Sequence, residues 1–374
     1  MRPRWRSILP LGLVLLTAAR APAAAGEYPP VPPHATNDFY ESVVGADVDN
    51  AFENSDFAWL DKTGRQYLQS RSRSPIGEWD LQHFYRAFVV QPTGNYAADD
   101  HRMDLLEAKA LAWAHAYPDA PAAHIAYALE LMNHGDVCQC EGTRNAPSAQ
   151  SLAASRAYFE KATDYLLSVR GVASRDPGWY AVLTWTLASA GRDYRKVLAE
   201  GMARFPDYWE LYYAAASLDT PGWGGSPDDL DALVDRAVAN TRATEHAAAY
   251  ARIYGHIGRQ AYAGGLELFA VTPAKWDRMA AAYRDYASAH PDPWVYSEFF
   301  FYACLAGDKA SAQLAFDHIG KGPMRADVWR IPGEYGVCTA WLHGEGPPSG
   351  SPLRALSEAQ ARADGFAPTV GGSF

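Results

Sequence analysis

The signatures by which a chain usually declares a reaction are missing from these 374 residues. There is no G-x-S-x-G nucleophile elbow, no H-E-x-x-H, no P-loop and no G-x-G-x-x-G, so no residue pattern argues for a serine hydrolase, a zincin or a nucleotide-binding enzyme. Strand signals are almost as scarce: β-branched residues are few, and no Asn-Gly turn separates alternating runs, so no sheet is expected. After the first 25 residues no apolar run approaches the roughly 18 residues of a membrane span, and no N-x-S/T sequon marks a glycosylation site. Positive charge is also short. The net charge is −10, which disfavours nucleic acid and anionic membrane as partners.

What is present begins with an N-terminal targeting pattern. Arg2, Arg4 and Arg6 precede an apolar stretch (8–19) and the small residues APAAAG (21–26), the three parts of a cleavable signal peptide. Cleavage near Ala25 is expected, giving a periplasmic or secreted protein. It removes four arginines and no acid, so the −10 of the whole chain becomes −14. The apolar stretch is followed by no lipid-accepting cysteine. Residues 26–37, GEYPPVPPHATN, read as a proline-rich extended linker, and the tail 367–374 as frayed.

The four cysteines, Cys138, Cys140, Cys304 and Cys338, allow three disulfide pairings in an oxidising compartment. Cys138 and Cys140 are separated only by Gln139, a spacing that strains a bridge. With His134 they form the nearest approach to a soft-metal ligand set, for which zinc would need a fourth ligand, or a third plus water. Disulfides or inert thiols are the expected state, with no metal and no cofactor.

Between linker and tail the apolar spacing is helical throughout. Phe57, Leu60, Gly64, Tyr67 and Leu68 make a first stripe, which SPIGEW interrupts. Trp79, Phe84, Tyr85 and Phe88 make a second, and a third helix spans about 97–116. A unit then recurs from Tyr117, Asp176, Phe205 and His290. It has proline near its start, about four turns rich in alanine and aromatics, and a glycine stop. Two copies continue into a second amphipathic helix, YRKVLAEGMARF (194–205) and KASAQLAFDHIG (309–320). This resembles the tetratricopeptide repeat, whose period is about 34 residues. The copy from Gly178 to Pro206 fits best, with Leu183, Ala188 and Ala199 at the expected positions. Irregular spacing and aromatics at small-residue positions set it apart from a standard array. The expected fold is all-α, an irregular tetratricopeptide-like solenoid of antiparallel helix pairs over 117–366, preceded by a helical region over 38–116. Cys304 and Cys338, 34 residues apart, would then lie at similar heights on adjacent units, where a disulfide could staple the C-terminal cap.

Three stretches carry a more specific resemblance: RSRSPIGEWDLQHFY (71–85), PGWGGSPDDL (221–230) and the run 276–310 with its A-C-x-A-G-D core. Together they make the chain similar to domain-of-unknown-function family 4034. The resemblance implies a tetratricopeptide-like helical fold and carries no activity or cofactor. The chain departs from it at HGDVCQCEG (134–142).

Within this frame most polar candidates have structural readings. Asp99, Asp100 and His101 suit a helix N-terminus, where the dipole favours aspartate. His83, beside Phe84 and Tyr85, reads as a core histidine. Arg65, Arg71 and Arg73 read as partners of nearby carboxylates. Trp179, Trp209 and Trp294 stand near repeat starts and read as packing. In PGWGGSPDDL, Ser226 is an N-cap, Pro227 the first helical residue, and Asp228 and Asp229 favour the same helix end. Trp223 alone has no such role and either plugs the joint between repeats or faces a ligand. On a helix over 243–258, His246 and Tyr250 would share a face. Trp223, His246 and Tyr250 are therefore the candidate ligand-binding residues. Solenoids present extended concave surfaces, so the expected function is binding of a protein or peptide partner, one bearing basic residues because the chain is acidic. The alternatives are a hydrolase with its site between repeats, and an inhibitor or immunity-type protein presenting the segment 134–150.

Overall fold

Helix boundaries follow local chemistry. The computed structural model describes residues 35–90, 93, 95–139, 142–143, 146–220, 223–261, 266–319, 328–329, 333–345 and 350–354. The expected signal peptide, nearly all of the expected linker, Cys140 and the expected frayed tail lie outside the described residues. The linker ends one residue earlier than expected, because Asn37 already belongs to the first helix. The described residues all fall within one unit, Val31–Phe374.

An N-terminal group comprises α1 (Asn37–Glu53), α2 (Phe57–Ser70), α3 (Asp80–Arg86) and α4 (Tyr96–Ala116). Then come α5 (Pro121–Gln139), a two-residue antiparallel pair β1 (Gly142–Thr143) and β2 (Ala146–Pro147), α6 (Ala149–Ser168) and the short α7 (Arg170–Ala173). The repeats continue as α8 (Pro177–Ser189), α9 (Arg195–Arg204), α10 (Trp209–Leu218), α11 (Pro227–Glu245), α12 (Ala248–Ala261), α13 (Leu268–Val271) and α14 (Trp276–Ala289). They end with α15 (Pro293–Ala306), α16 (Lys309–Ile319) and α17 (Glu334–Leu342). Among the described residues, the small β pair departs from the sheet-free expectation.

Pro121, Pro177, Pro227 and Pro293 each occupy the first residue of a helix, where the missing N–H costs nothing. Pro206 does not: α10 starts three residues later, at Trp209. Asp176, Ser226 and Asp292 cap their helices through side-chain oxygens. In the turn before α11, Gly225 lies where a Cβ would stand 2.2 Å from the Asp219 backbone, so glycine is required by close approach.

Helices pack in sequential pairs, α5 with α6, α8 with α9, α10 with α11, α12 with α14 and α15 with α16. The first helices of successive pairs also touch one another, α5 to α8 to α10 to α12. This is the all-α helical-repeat architecture expected from the sequence. These first helices are apolar around nearly their whole circumference, as α8 and α15 show, because pairing buries one side and stacking buries the others. Cys304 on α15 and Cys338 on α17 form a disulfide, with Cα atoms 5.9 Å apart. Cys138 is buried on α5 and belongs to a different region.

The face of the first-helix layer, which an open solenoid leaves free, is largely covered by the chain's own N-terminal segment. α3 packs on α8, and α1 reaches α15, where the Asn37 N–H donates to Asp292 Oδ2 at 2.8 Å. The turn between α2 and α3 lies deepest. Ile76 and Trp79 are buried, and Trp79 meets Phe205 and Tyr208 edge-on. Gly77, at φ +80°, sits where a Cβ would strike His290 and the Arg252 guanidinium. Arg252 itself is buried between Trp209 and Tyr286. It donates to Ile76 O at 2.6 Å, Glu245 Oε2 at 2.7 Å and Tyr286 Oη at 2.8 Å.

A second long-range tie joins α3 to α8. The buried Asp176 accepts from Tyr85 Oη and from the Gly178 N–H, each at 2.7 Å. Burial pushes its carboxyl up to about 7, although both hydrogen bonds oppose the shift. The folded state therefore prefers the proton. The ionisation penalty is absent below the ordinary value near 4, grows as pH rises, and is complete above about 7. Asp176→Asn removes it, so the stability of this variant relative to wild type is expected to rise between pH 4 and pH 8 by about 4 kcal/mol. Denaturant unfolding at several pH values checks this, and a pH-independent difference would contradict it.

Candidate functional site

Charged residues planted inside aromatic runs, such as Glu210 in WELYY and Glu298 in YSEFFF, need partners once those runs are buried. The fold supplies them at one place. The turn before α3 brings Glu78. α3 contributes His83 and Arg86 from one face, α1 Glu41, α10 Glu210 and Tyr213, α12 His256 and Arg259, and α15 Trp294 and Glu298. Most of these groups line a polar cavity of about 280 Å³.

Arg86 is its hub. Its Nη1 donates to Glu78 Oε2 at 2.6 Å and lies 3.5 Å from Glu41 Oε1, while Nη2 lies 3.8 Å from Glu210 Oε2. Burial alone would raise the Glu78 carboxyl, but the charges of Arg86 and His83 hold it at about 2. Glu210 shifts the other way, because its burial outweighs the pull of Arg86. Glu41 is held low by His83 and Arg86 against its own burial. Arg259 pairs with Glu298 and lies over the Trp294 ring at 4.8 Å. His256 stacks on Tyr213 with centroids 4.2 Å apart and planes 7° from parallel. Burial first, then Arg259 and Arg86, pushes it down to about 3, so it is neutral at physiological pH. Arg259 is matched by Glu298, and the carboxyl groups of Glu41, Glu78 and Glu210 face Arg86 and His83.

A second cavity, about 210 Å³, adjoins the first and shares Arg86 and Glu210 as its wall. Besides Gln82, Tyr85 and Tyr208, its other lining is apolar and includes Leu129 and Met132 from α5 and Val182 and Trp185 from α8. Trp223 is not part of this lining. It meets Trp185 edge-on at 5.9 Å and is 50% exposed, so it does not plug the joint between repeats.

Glu41, Glu78 and His83 bring ligand-type atoms within 4.8 Å of one another. Arg86 stands among them, and a metal cation there would meet a guanidinium, so this group does not fit a metal.

The other sequence-derived candidates fall elsewhere. A turn at His246 and Ala247 separates α11 from α12, so the expected continuous helix over 243–258 is broken. His246 is the exposed C-cap of α11 with φ +51°, and Tyr250 is buried one turn into α12. The two share no helix face. Tyr250 Oη accepts from the Lys275 N–H at 2.8 Å, a packing role. Asp99 is buried and accepts from Thr93, whereas Asp100 reaches His134. Arg65 pairs with Asp61 and Arg73 with Asp207, and Arg71 lies over the Trp79 ring. His83 is a buried histidine as expected. Trp179, Trp209 and Trp294 are all buried in the core as expected, and Trp294 also lines the polar cavity. Glu78, Arg86, Glu210, His256 and Arg259 were not singled out in the sequence, because they become neighbours only when α3 folds onto α10 and α12. No protein-family profile, curated protein or solved structure matches this chain.

Proposed function

We propose that this is an exported helical-repeat protein, related to family 4034, that binds a peptide segment presenting a basic residue beside an apolar one. The observation that carries the reading is the pair of adjoining cavities sharing Arg86 and Glu210, one mainly apolar and one lined by the carboxyl groups of Glu41, Glu78 and Glu210. An aliphatic or aromatic side chain suits Leu129, Met132, Val182 and Trp185, and an ammonium or guanidinium suits the carboxylates beyond. The buried Cys304–Cys338 disulfide agrees with an oxidising compartment, and among the described residues no helix is long and apolar enough to cross a membrane. Because α3 and its preceding turn cover much of the inner face, the partner contributes a short segment rather than an extended strand or helix.

Peptide display against the intact protein tests this. Selected sequences are expected to share a Lys or Arg next to an apolar residue, and Glu210→Gln or Val182→Arg is expected to weaken their binding at least tenfold. Selection without such a consensus, or consensus peptides indifferent to both variants, would refute the proposal.

The opposed shifts of Glu78 and Glu210 about one arginine favour a second reading, a hydrolase in which Glu210 holds a proton for a leaving group. Turnover of a substrate panel, abolished by Glu210→Gln in a protein without peptide affinity, would select it.

A further inference from the structure

Away from these cavities, α4 and α5 bring together Asp100, His134 and Cys138, whose carboxylate oxygen, imidazole nitrogen and sulfur all lie within 4.8 Å of one another. We propose that these three residues bind a divalent transition metal of the zinc class, with a fourth position left to water or an external ligand.

The donor set sits on firm supports. His134 and Cys138 are four residues apart on α5, so both project from the same face. His134 Nε2 is 2.9 Å from Asp100 Oδ1. The other ring nitrogen, Nδ1, is 2.5 Å from Glu107 Oε1, and Lys161 holds the remaining Glu107 oxygen at 3.0 Å. Tyr158 stacks on the imidazole with centroids 3.9 Å apart. A histidine whose second nitrogen is bonded to an anchored carboxylate is the usual outer support of a metal-bound imidazole, because it fixes the ring and its tautomer.

Charge argues in the same direction. Asp100, Glu107 and a Cys138 thiolate bring three negative charges, and Lys161 returns one positive charge. A divalent ion cancels the remainder. Thiolate with imidazole selects a borderline-soft ion over calcium or magnesium, which prefer oxygen ligands throughout. His134 and Cys138 are buried, but the Asp100 side chain is 42% exposed and gives the ion its way in. Asp100 and His134 would separate by a few tenths of an ångström to admit an ion at ordinary bond lengths near 2.0–2.1 Å. This departs from the sequence-level expectation of no metal, which His134 and the neighbouring cysteines alone could not overturn.

The test uses the purified intact protein with Zn²⁺ and Co²⁺. Competition against a chromophoric chelator should show one Zn²⁺ bound per chain, and Co²⁺ should produce a sulfur-to-metal charge-transfer band. Cys138→Ser should abolish that band, His134→Ala and Asp100→Asn should each lower affinity at least tenfold, and Glu107→Gln should lower it about 10- to 100-fold through the lost orientation of His134. Circular dichroism identifies any variant that fails to fold, and the wild-type Co²⁺ spectrum stands without variants. Lack of stoichiometric binding, a Co²⁺ spectrum without sulfur, or a Cys138 found oxidised in the native protein would overturn the proposal.

Discussion

Arg252→Met is expected to destabilise the protein by about 3–5 kcal/mol, the cost of leaving a buried carboxylate without its cation. Glu245 is that carboxylate. Burial would raise it, but Arg252 and His290 hold it below its ordinary range. A lowered acid contributes stability above its unfolded pKa, and that stability is lost as pH falls through the folded value. The gap between wild type and Arg252→Met should therefore be full at neutral pH and narrow below about pH 4.5. Methionine keeps much of the volume between Trp209 and Tyr286, so the loss reports chiefly on charge and hydrogen bonds. Lysine should not rescue it, since one ammonium cannot donate in the fork that reaches Ile76, Glu245 and Tyr286 together. The double variant Arg252→Met/Glu245→Gln should recover part of the loss, because no buried charge is then stranded. The effect should be local as well as global. With Ile76 released, trypsin should cut more readily after Arg73. Melting curves and limited proteolysis measure both, and an unchanged melting temperature with unchanged cleavage would contradict the role given to Arg252.

Loss of the Cys304–Cys338 disulfide is expected to cost about 3–4 kcal/mol. Closing a loop of 34 residues restricts the unfolded chain by roughly that amount. Both cysteines are fully buried, so the Cys304→Ala/Cys338→Ala variant is a cleaner test than reductant. Repeat proteins unfold partly as the sum of their neighbouring units, so the loss should concentrate at α15–α17. Hydrogen exchange should quicken in α15, α16 and α17 and stay nearly unchanged in α5 and α6. Uniform loss of protection along the whole chain would instead show that these helices unfold with the rest as one unit.

Much of the architecture is determined by the sequence alone, because helix starts and stops depend on groups within four residues of one another. Asp176, Ser226 and Asp292 cap the helices that Pro177, Pro227 and Pro293 open, whatever packs on them later. The 34-residue spacing likewise placed Cys304 and Cys338 in adjacent units, since a repeat carries its own period. Trp223, His246 and Tyr250 are positions where local pattern was insufficient. A helical stripe does not reveal that the backbone turns at His246, nor that Trp223 would stay half exposed against Trp185.

The inner face was decided by tertiary structure. Residues 72–79 read locally as a break between helices, yet they lie against α10, α12 and α14. Arg86 and Glu210, more than a hundred residues apart, converge for the same reason. Which apolar surfaces win burial is a competition across the whole chain, and the partners of a buried charge are chosen by that competition rather than by its sequence neighbours.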